Sequence, residues 1–261
     1  MYRAFKTEAD VFDNININSN SYINTSDLMT KMTDFILSES KDTVLDAAEI
    51  WDKWFPAVEA DVFISHSSKD SALAKKCASW LYDSFQLKSF IDSEVWCYAD
   101  NLLKDIDEKY ARNYDENRRK LSTFDYSTRN ITTANVHMLL TYSLTRMINQ
   151  TECIFFLSSN NSVSIKDSIK KTFSPWIFHE LATIDTIEIL PPTRYKRTVA
   201  SHTGEPIKEH TEFKMSYPIF DRRLIPLSVN QLTEWKNTSL TKKKALDWLY
   251  KNNEKAEILN G

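Results

Sequence analysis

Asp61-Val62-Phe63-Ile64-Ser65-His66-Ser67-Ser68-Lys69-Asp70 joins a short apolar run to a polar turn and the start of a helical pattern. Val62, Phe63 and Ile64 form an apolar run without alternation, the pattern of a strand covered on both faces. The run stops at small polar residues, and Ser67, Ser68 and Asp70 can each cap a following helix. A strand entering a helix through a polar turn is the opening unit of an α/β domain. Turns of this kind sit at the carboxyl edge of a parallel sheet, where ligands bind.

Outward from this unit the alternation continues. A helix carries Leu73, Cys77, Trp80, Leu81 and Phe85, and Leu87 to Ile91 reads as a second strand ending at Asp92. A loop is expected over 92–100, with Trp96 and Tyr98, before a helix bearing Leu102, Leu103, Ile106 and Tyr110. Residues 111–134 are polar and turn-rich and read as an inserted surface loop. Val136, Leu139, Leu140, Leu144, Met147 and Ile148 mark the buried side of a further helix. Cys153-Ile154-Phe155-Phe156-Leu157 is the clearest central strand, ending in Ser158-Ser159-Asn160. Ser174 before Pro175 supplies both helix-start signals, a cap and proline at the first helical position. Residues 190–212 are a second polar excursion. Leu224 to Leu227 reads as a strand that Pro226 confines to an edge or a strand end, and a helix around Ala245, Leu246 and Leu249 follows. The fold class is therefore α/β, a mainly parallel sheet flanked by helices.

The first 58 residues are less regular. Residues 1–25 are asparagine-rich and read as a loosely ordered, partly docked lead-in. Ser26 can cap a helix with Leu28, Met32, Phe35 and Ile36. Asp42 can cap another with Val44, Ala47, Ala48, Trp51, Trp54 and Phe55, which Pro56 ends. Two such helices are too small to fold alone, so they pack on the following domain or on a partner. The domain reading is a helical extension over 1–58, an α/β domain over 59–255 with its two insertions, and a tail over 256–261.

Composition narrows the chemistry. Among 261 residues, 42% are hydrophobic and 26% charged, ordinary for a globular protein. A net charge of −3 gives no reason to expect nucleic acid as a partner. No apolar run reaches the roughly 18 residues of a membrane span. No charged-then-apolar segment opens the chain, so a cytoplasmic location is expected. Cys77, Cys97 and Cys153 are scattered, as are the five histidines, and offer no metal-ligand spacing. Glycine is the informative scarcity, with only Gly204 and Gly261. Neither a P-loop nor a GxGxxG turn can be written, which excludes most kinases, P-loop ATPases and dinucleotide-binding dehydrogenases.

Four segments carry a resemblance to a known family. Asp61 to His66 resembles the first strand and turn of Toll/interleukin-1 receptor (TIR) domains. Phe90-Ile91-Asp92 is similar to their second strand, entering the BB loop at 92–100. Phe155-Phe156-Leu157-Ser158 is similar to their central strand. Trp176-Ile177-Phe178-His179-Glu180-Leu181 matches the W-x-x-x-E-L element of the family's enzymatic branch. The resemblance spans about 59–255 and implies a flavodoxin-like sheet. The two insertions depart from it, as does Ala99-Asp100 where the BB loop often has glycine.

Members of that branch cleave NAD at the nicotinamide–ribose bond, so the resemblance implies NAD as substrate and no cofactor. It makes Glu180 the catalytic carboxylate. Trp176 would line the nicotinamide side, and Ser65, His66, Asp92 and Trp96 the rest of the substrate's surroundings. It further implies self-association through TIR surfaces. Bacterial relatives in anti-phage defence, including Thoeris-type systems, make a cyclised or conjugated ADP-ribose signal that a downstream effector senses.

Helical geometry bears on this site independently. At about 100° per residue, Ile177, Leu181 and Ile184 share one core-facing stripe, while Phe173, Trp176 and Glu180 share a flank about 60–100° away. Glu180 is thus expected at the margin of the buried surface, one turn after an indole. Such a setting can tune a carboxylate. A Trp and Glu four apart are more often packing plus a solvated charge, and a turn histidine is more often a capping or surface group. Trp96 and Tyr98 fit a substrate gate, a protomer contact or ordinary loop packing. Two rivals remain open at this level: a TIR module acting only as a scaffold, and a nucleotide-processing enzyme of another α/β family.

Overall fold

The computed structural model describes residues 1–23, 26–40, 45–47, 50, 60–91, 93–166, 169–172, 174–192, 194 and 217–253. The chain divides into two compact units. The first comprises Met1–Ile23, Glu59–Asp92 and Met147–Gly261; the second comprises Asn24–Val58 and Ser93–Arg146.

The first unit is built on a parallel five-stranded sheet. Its strands are β1 (Arg3–Glu8), β2 (Val62–Ser65), β3 (Ser89–Ile91), β6 (Cys153–Ser158) and β10 (Leu224–Pro226). They lie in the order β10-β1-β6-β2-β3. The fold is the expected mainly parallel α/β sheet with flanking helices. Pro226 sits at an edge, where its missing N–H leaves no ladder bond unmade. At the opposite edge, Ser89 N–H donates to the Ser21 carbonyl (3.0 Å) and Ile23 N–H to the Ser89 carbonyl (3.0 Å), so a short extended segment covers β3.

β1 corrects the reading of residues 1–25 as a loose lead-in, and with it the start of the α/β domain at 59. All six residues from Arg3 to Glu8 pair in register with Cys153 to Ser158, and β1 lies between two partners. Phe5 is 0% exposed. A segment this polar is buried because its neighbours supply the apolar environment. The flavodoxin-like order is 2-1-3-4-5. Here β3, β2, β6 and β10 occupy its first, second, third and fifth positions, and the amino-terminal strand fills the fourth. The asparagine-rich residues after β1 are pinned to α2 (Ser71–Phe85): Asn18 N–H donates to Ser79 Oγ (2.8 Å) and Asn18 Nδ2 to Asp83 (3.0 Å).

One sheet face carries Phe5, Val62, Ile64, Cys153, Phe155 and Leu157 in a single core with α2, α6 (Val229–Asn237) and α7 (Lys242–Asn252). Aromatic rings fill it. Phe85 stacks on Trp235 at 3.9 Å, Trp80 meets Trp235 edge-on at 5.8 Å, and the Trp235 indole N–H donates to the Ala245 carbonyl (2.8 Å). Without a glycine available, α2 ends on Gln86 in the left-handed region (φ 57°). Burial pushes the thiols of Cys77 and Cys153 well up, which leaves both as inert core residues.

In the second unit α1 (Ser26–Ser38) packs with α3 (Ser93–Tyr110), and Lys109 Nζ donates to the Ile36 (3.3 Å) and Leu37 (2.9 Å) carbonyls at the end of α1. The helix begins at Ser93, so the loop expected over 92–100 is helical from its second residue. No glycine or proline interrupts this run, and Glu94, Ala99 and Leu102 favour helix. The insertion expected at 111–134 is also ordered. β4 (Arg112–Tyr114) and β5 (Lys120–Phe124) form an antiparallel hairpin, and α4 (Tyr126–Gln150) starts ten residues before its first apolar marker. Asp125 caps α4 by accepting from Thr128 N–H (2.8 Å), and the hydroxyl and amide of Thr128 with the Ser127 hydroxyl hold its carboxyl below the usual range. Most of the expected second extension helix and most of 190–212 lie outside the described residues. After β6 come β7 (Ser164–Lys166) and β8 (Ile169–Thr172), a hairpin joined by β9 (Tyr217–Pro218), and between the last two lies α5 (Pro175–Thr186).

Candidate functional site

The carboxyl ends of β2 and β6 adjoin where the connections diverge. The chain leaves β2 toward β3 on one side and reaches β10 at the other edge after β6. In doubly wound sheets this switch point is the ligand crevice. Ser65 closes β2 and stands in register with Phe156, and His66 and Ser67 follow in the turn. All three of Ser65, His66 and Ser67 are buried.

α5 brings a carboxylate to this point. Its start is set locally: Ser174 Oγ accepts from the Ile177 N–H (3.3 Å), and Pro175 occupies the first turn. Its far end is held by Arg223, which donates to the Ile184 (3.1 Å) and Ile187 (2.7 Å) carbonyls, and by Arg222, which pairs with Asp185 (2.7 Å). Between them Ile177, Leu181 and Ile184 are buried as the spacing predicts. Glu180 is not at the margin of that surface but inside it, at 0% exposure. The Ser65 hydroxyl donates to Glu180 Oε2 at 2.5 Å. A carboxylate taken out of water needs such donors, and bonds to a charged acceptor are the short, strong kind. Trp176, one turn earlier on the same helix, is half-buried.

Of the residues singled out from sequence, Ser65, His66, Glu180 and Trp176 thus fall in the first unit, and Ser65 and Glu180 are in direct contact. Trp96 belongs to α3 in the second unit, in a helix rather than a loop, and its side chain is outside the described ones. Asp92 lies outside the described residues.

Asp70 has a part that sequence reasoning missed. Read as a helix cap, it makes no side-chain capping bond. Its buried carboxylate instead accepts from Ser159 Oγ (2.5 Å) and Asn161 Nδ2 (2.7 Å), fastening the turn after β2 to the turn after β6. Ser162 closes that second turn, its hydroxyl donating to the Leu157 carbonyl (3.2 Å). The run Ser158 to Ser162, small and polar after an apolar strand, was the available signal.

A cleft of about 430 Å³ opens beside this switch point, at the carboxyl ends of β1 and β6, with Lys6, Glu8, Phe156, Asn160 and Asp221 in its wall. Ser65, His66, Trp176 and Glu180 do not line it. Among the described residues, no group of three His, Cys, Asp or Glu side chains is placed to hold a metal ion, and no helix is long and apolar enough to cross a membrane.

No protein-family model, curated protein or solved structure matches the chain. The functional reading therefore rests on the site's own chemistry and on the motif resemblance.

Proposed function

We propose that this chain is a TIR-type enzyme that cleaves the nicotinamide–ribose bond of NAD, and that its product is a signal in anti-phage defence. The observation that carries the reading is the buried Glu180 carboxylate, fixed by the Ser65 hydroxyl at the switch point of the sheet, with Trp176 one turn away.

The reaction asks for little beyond that. When the bond between ribose C1′ and the pyridinium nitrogen breaks, its electron pair stays with nicotinamide, which leaves neutral. No general acid is needed. Positive charge develops on the ribose as an oxocarbenium-like centre, as in other glycosyl transfers. A single carboxylate at that position stabilises it, and the effect is larger in a site that excludes water. Ser65 holds Glu180 in one orientation, so no reorganisation is required as charge appears. Trp176 offers an aromatic face to the pyridinium ring before it leaves.

The ribosyl centre is then captured by whichever nucleophile reaches it. Water gives ADP-ribose, an internal adenine nitrogen or ribose hydroxyl gives a cyclic product, and another small nucleophile gives a conjugate. In this reading the enzyme works in the cytoplasm, self-associates, and is read by an effector that senses the product. Incubation of the full chain with NAD over a wide range of protein concentrations, with mass spectrometry of the products, tests the proposal. Nicotinamide with a matching ADP-ribose-derived species is expected. Intact NAD at every concentration would leave a non-enzymatic scaffold as the reading.

A further inference from the structure

We infer that the cleft at the carboxyl ends of β1 and β6 is a nucleoside subsite that takes the base and ribose of a dinucleotide's remote half. The identity of the whole substrate rests on the NAD-cleaving reading; the binding of a nucleotide to this cleft does not.

Register is the first observation. Ser65 pairs with Phe156, and Phe156 with Lys6. Paired residues of a parallel sheet point to the same face, so Ser65, Phe156 and Lys6 form one row across it. Glu8 pairs with Ser158 two residues further on, one row nearer the carboxyl edge on that same face. Adjacent strands are about 4.8 Å apart, which places the backbone of Lys6 roughly 10 Å from that of Ser65, the residue that holds the Glu180 carboxylate. The ribose and pyrophosphate of a dinucleotide together cover such a span. The amino-terminal strand is what makes this possible, because it contributes Lys6 and Glu8 beside β6.

The cleft itself is the second observation. Its volume of about 430 Å³ falls in the range of small-molecule sites, roughly 300–1,000 Å³. Leu73, Val163 and Ile219, each partly exposed, give it an apolar wall suited to a base. Glu8, exposed at the rim, is an acceptor for a ribose diol, the role an acidic residue plays in other doubly wound dinucleotide sites. Lys6 Nζ lies 3.2 Å from Asp221, with both side chains about 30% exposed (27% and 31%). The pair is half-buried, and its ammonium has donors to spare beyond the one that meets Asp221, so a phosphate oxygen can share it. With one cation, Lys6, against the three carboxylates of Glu8, Asp10 and Asp221, the cleft accepts a nucleoside with at most one phosphate and disfavours a free polyphosphate.

The test is titration of AMP into the full chain by calorimetry, with the variants Asn160→Trp and Glu8→Gln. Asn160 is exposed on the cleft wall, so a large side chain there fills the mouth at little cost to the fold. AMP is expected to bind wild type, and Asn160→Trp to weaken it at least tenfold. Glu8→Gln is expected to weaken AMP by about tenfold, as loss of a hydrogen bond to a charged group does, while leaving 2′,3′-dideoxy-AMP unchanged. No binding of AMP, or equal binding by wild type and a folded Asn160→Trp, overturns the inference. If Asn160→Trp does not fold, the diol dependence lost in Glu8→Gln decides, and its persistence overturns the inference. Nicotinamide release is scored separately. AMP binding that is lost on filling the cleft, without any nicotinamide release, ends the NAD-cleaving reading and leaves the subsite standing. NAD cleavage with AMP binding indifferent to both variants does the reverse.

Discussion

Phe5→Ala is the perturbation that bears most on the amino-terminal strand. Phe5 is 0% exposed, 5.8 Å from the Phe155 ring and stacked at 6.3 Å over Tyr250. A buried phenylalanine removes about 150–250 Å² from water, worth roughly 4–6 kcal/mol at about 25 cal/mol/Å². Truncation keeps the β-carbon but leaves a cavity, and measured Phe→Ala losses run about 3–5 kcal/mol. The expected loss is about 4 kcal/mol. With a urea slope of about 3 kcal/mol/M, the unfolding midpoint falls by roughly 1.3 M. Ile17→Ala is the control: Ile17 is 50% exposed, and its loss should stay within about 0.5 kcal/mol. Urea unfolding followed by tryptophan fluorescence reads the core directly, because Trp80 and Trp235 sit in it. A Phe5→Ala loss below about 1 kcal/mol would mean that residues 3–8 are the loose lead-in their composition suggests, and the central placement of β1 would be wrong.

Other perturbations address the site and the base of the sheet. Asp70→Ala removes the acceptor for Ser159 and Asn161 and should cost about 2 kcal/mol in thermal or urea unfolding; a change under about 0.5 kcal/mol would show that the tie between the two turns is dispensable. Ser65→Ala is expected to lower kcat for NAD cleavage by about tenfold with little change in KM, because it frees the orientation of Glu180 rather than removing a substrate contact; an altered KM with intact kcat would contradict that role. Burial acts to raise the Glu152 pKa, yet the hydrogen bond from Arg194, the charges of Lys243 and Arg194 and the Tyr250 hydroxyl outweigh it and hold the carboxyl below its ordinary 4.5. A lowered folded value means that its contribution is complete above the ordinary value and is lost as pH falls through the folded one. Glu152→Gln should therefore be less stable than wild type by about 1–2 kcal/mol near pH 6, with the gap closing in acid; a gap that widens as the pH falls below the ordinary value would refute the assignment.

Where the polypeptide states its structure locally, the sequence was enough. Cys153 to Leu157 is too apolar to be anything but a covered strand. Ser174-Pro175 carries a cap and a preset φ, and Pro226 cannot donate in a central ladder. β1 lacks such a statement, since Ala4 and Phe5 are its only apolar residues and its burial comes from β6 and β10 on either side. The start of α4 was hidden by Thr128, Asn130, Thr132, Thr133 and Asn135, poor helix formers that a sound cap at Asp125 offsets. At the site, the helix and its Trp–Glu spacing were legible. The bond between Ser65 and Glu180 was not, because it joins residues 115 positions apart through tertiary packing alone. The sense of the error at Glu180 is physical too: helical phase placed it on a flank, and the packing that brings Ser65 at the end of β2 onto Glu180 buries that flank as well as the stripe.

Whether the Glu180 charge drives bond cleavage is decided by Glu180→Gln against wild type, assayed for nicotinamide release from NAD. Glutamine preserves the size of the side chain and can still accept from Ser65, so the fold is kept while the charge that stabilises a ribosyl cation is removed. Wild type is expected to release nicotinamide, at least at concentrations that allow self-association, and the variant to lose at least a hundredfold, as when one transition-state-stabilising group is removed. Equal rates in the two proteins, or none in either across that concentration range, would contradict this expectation.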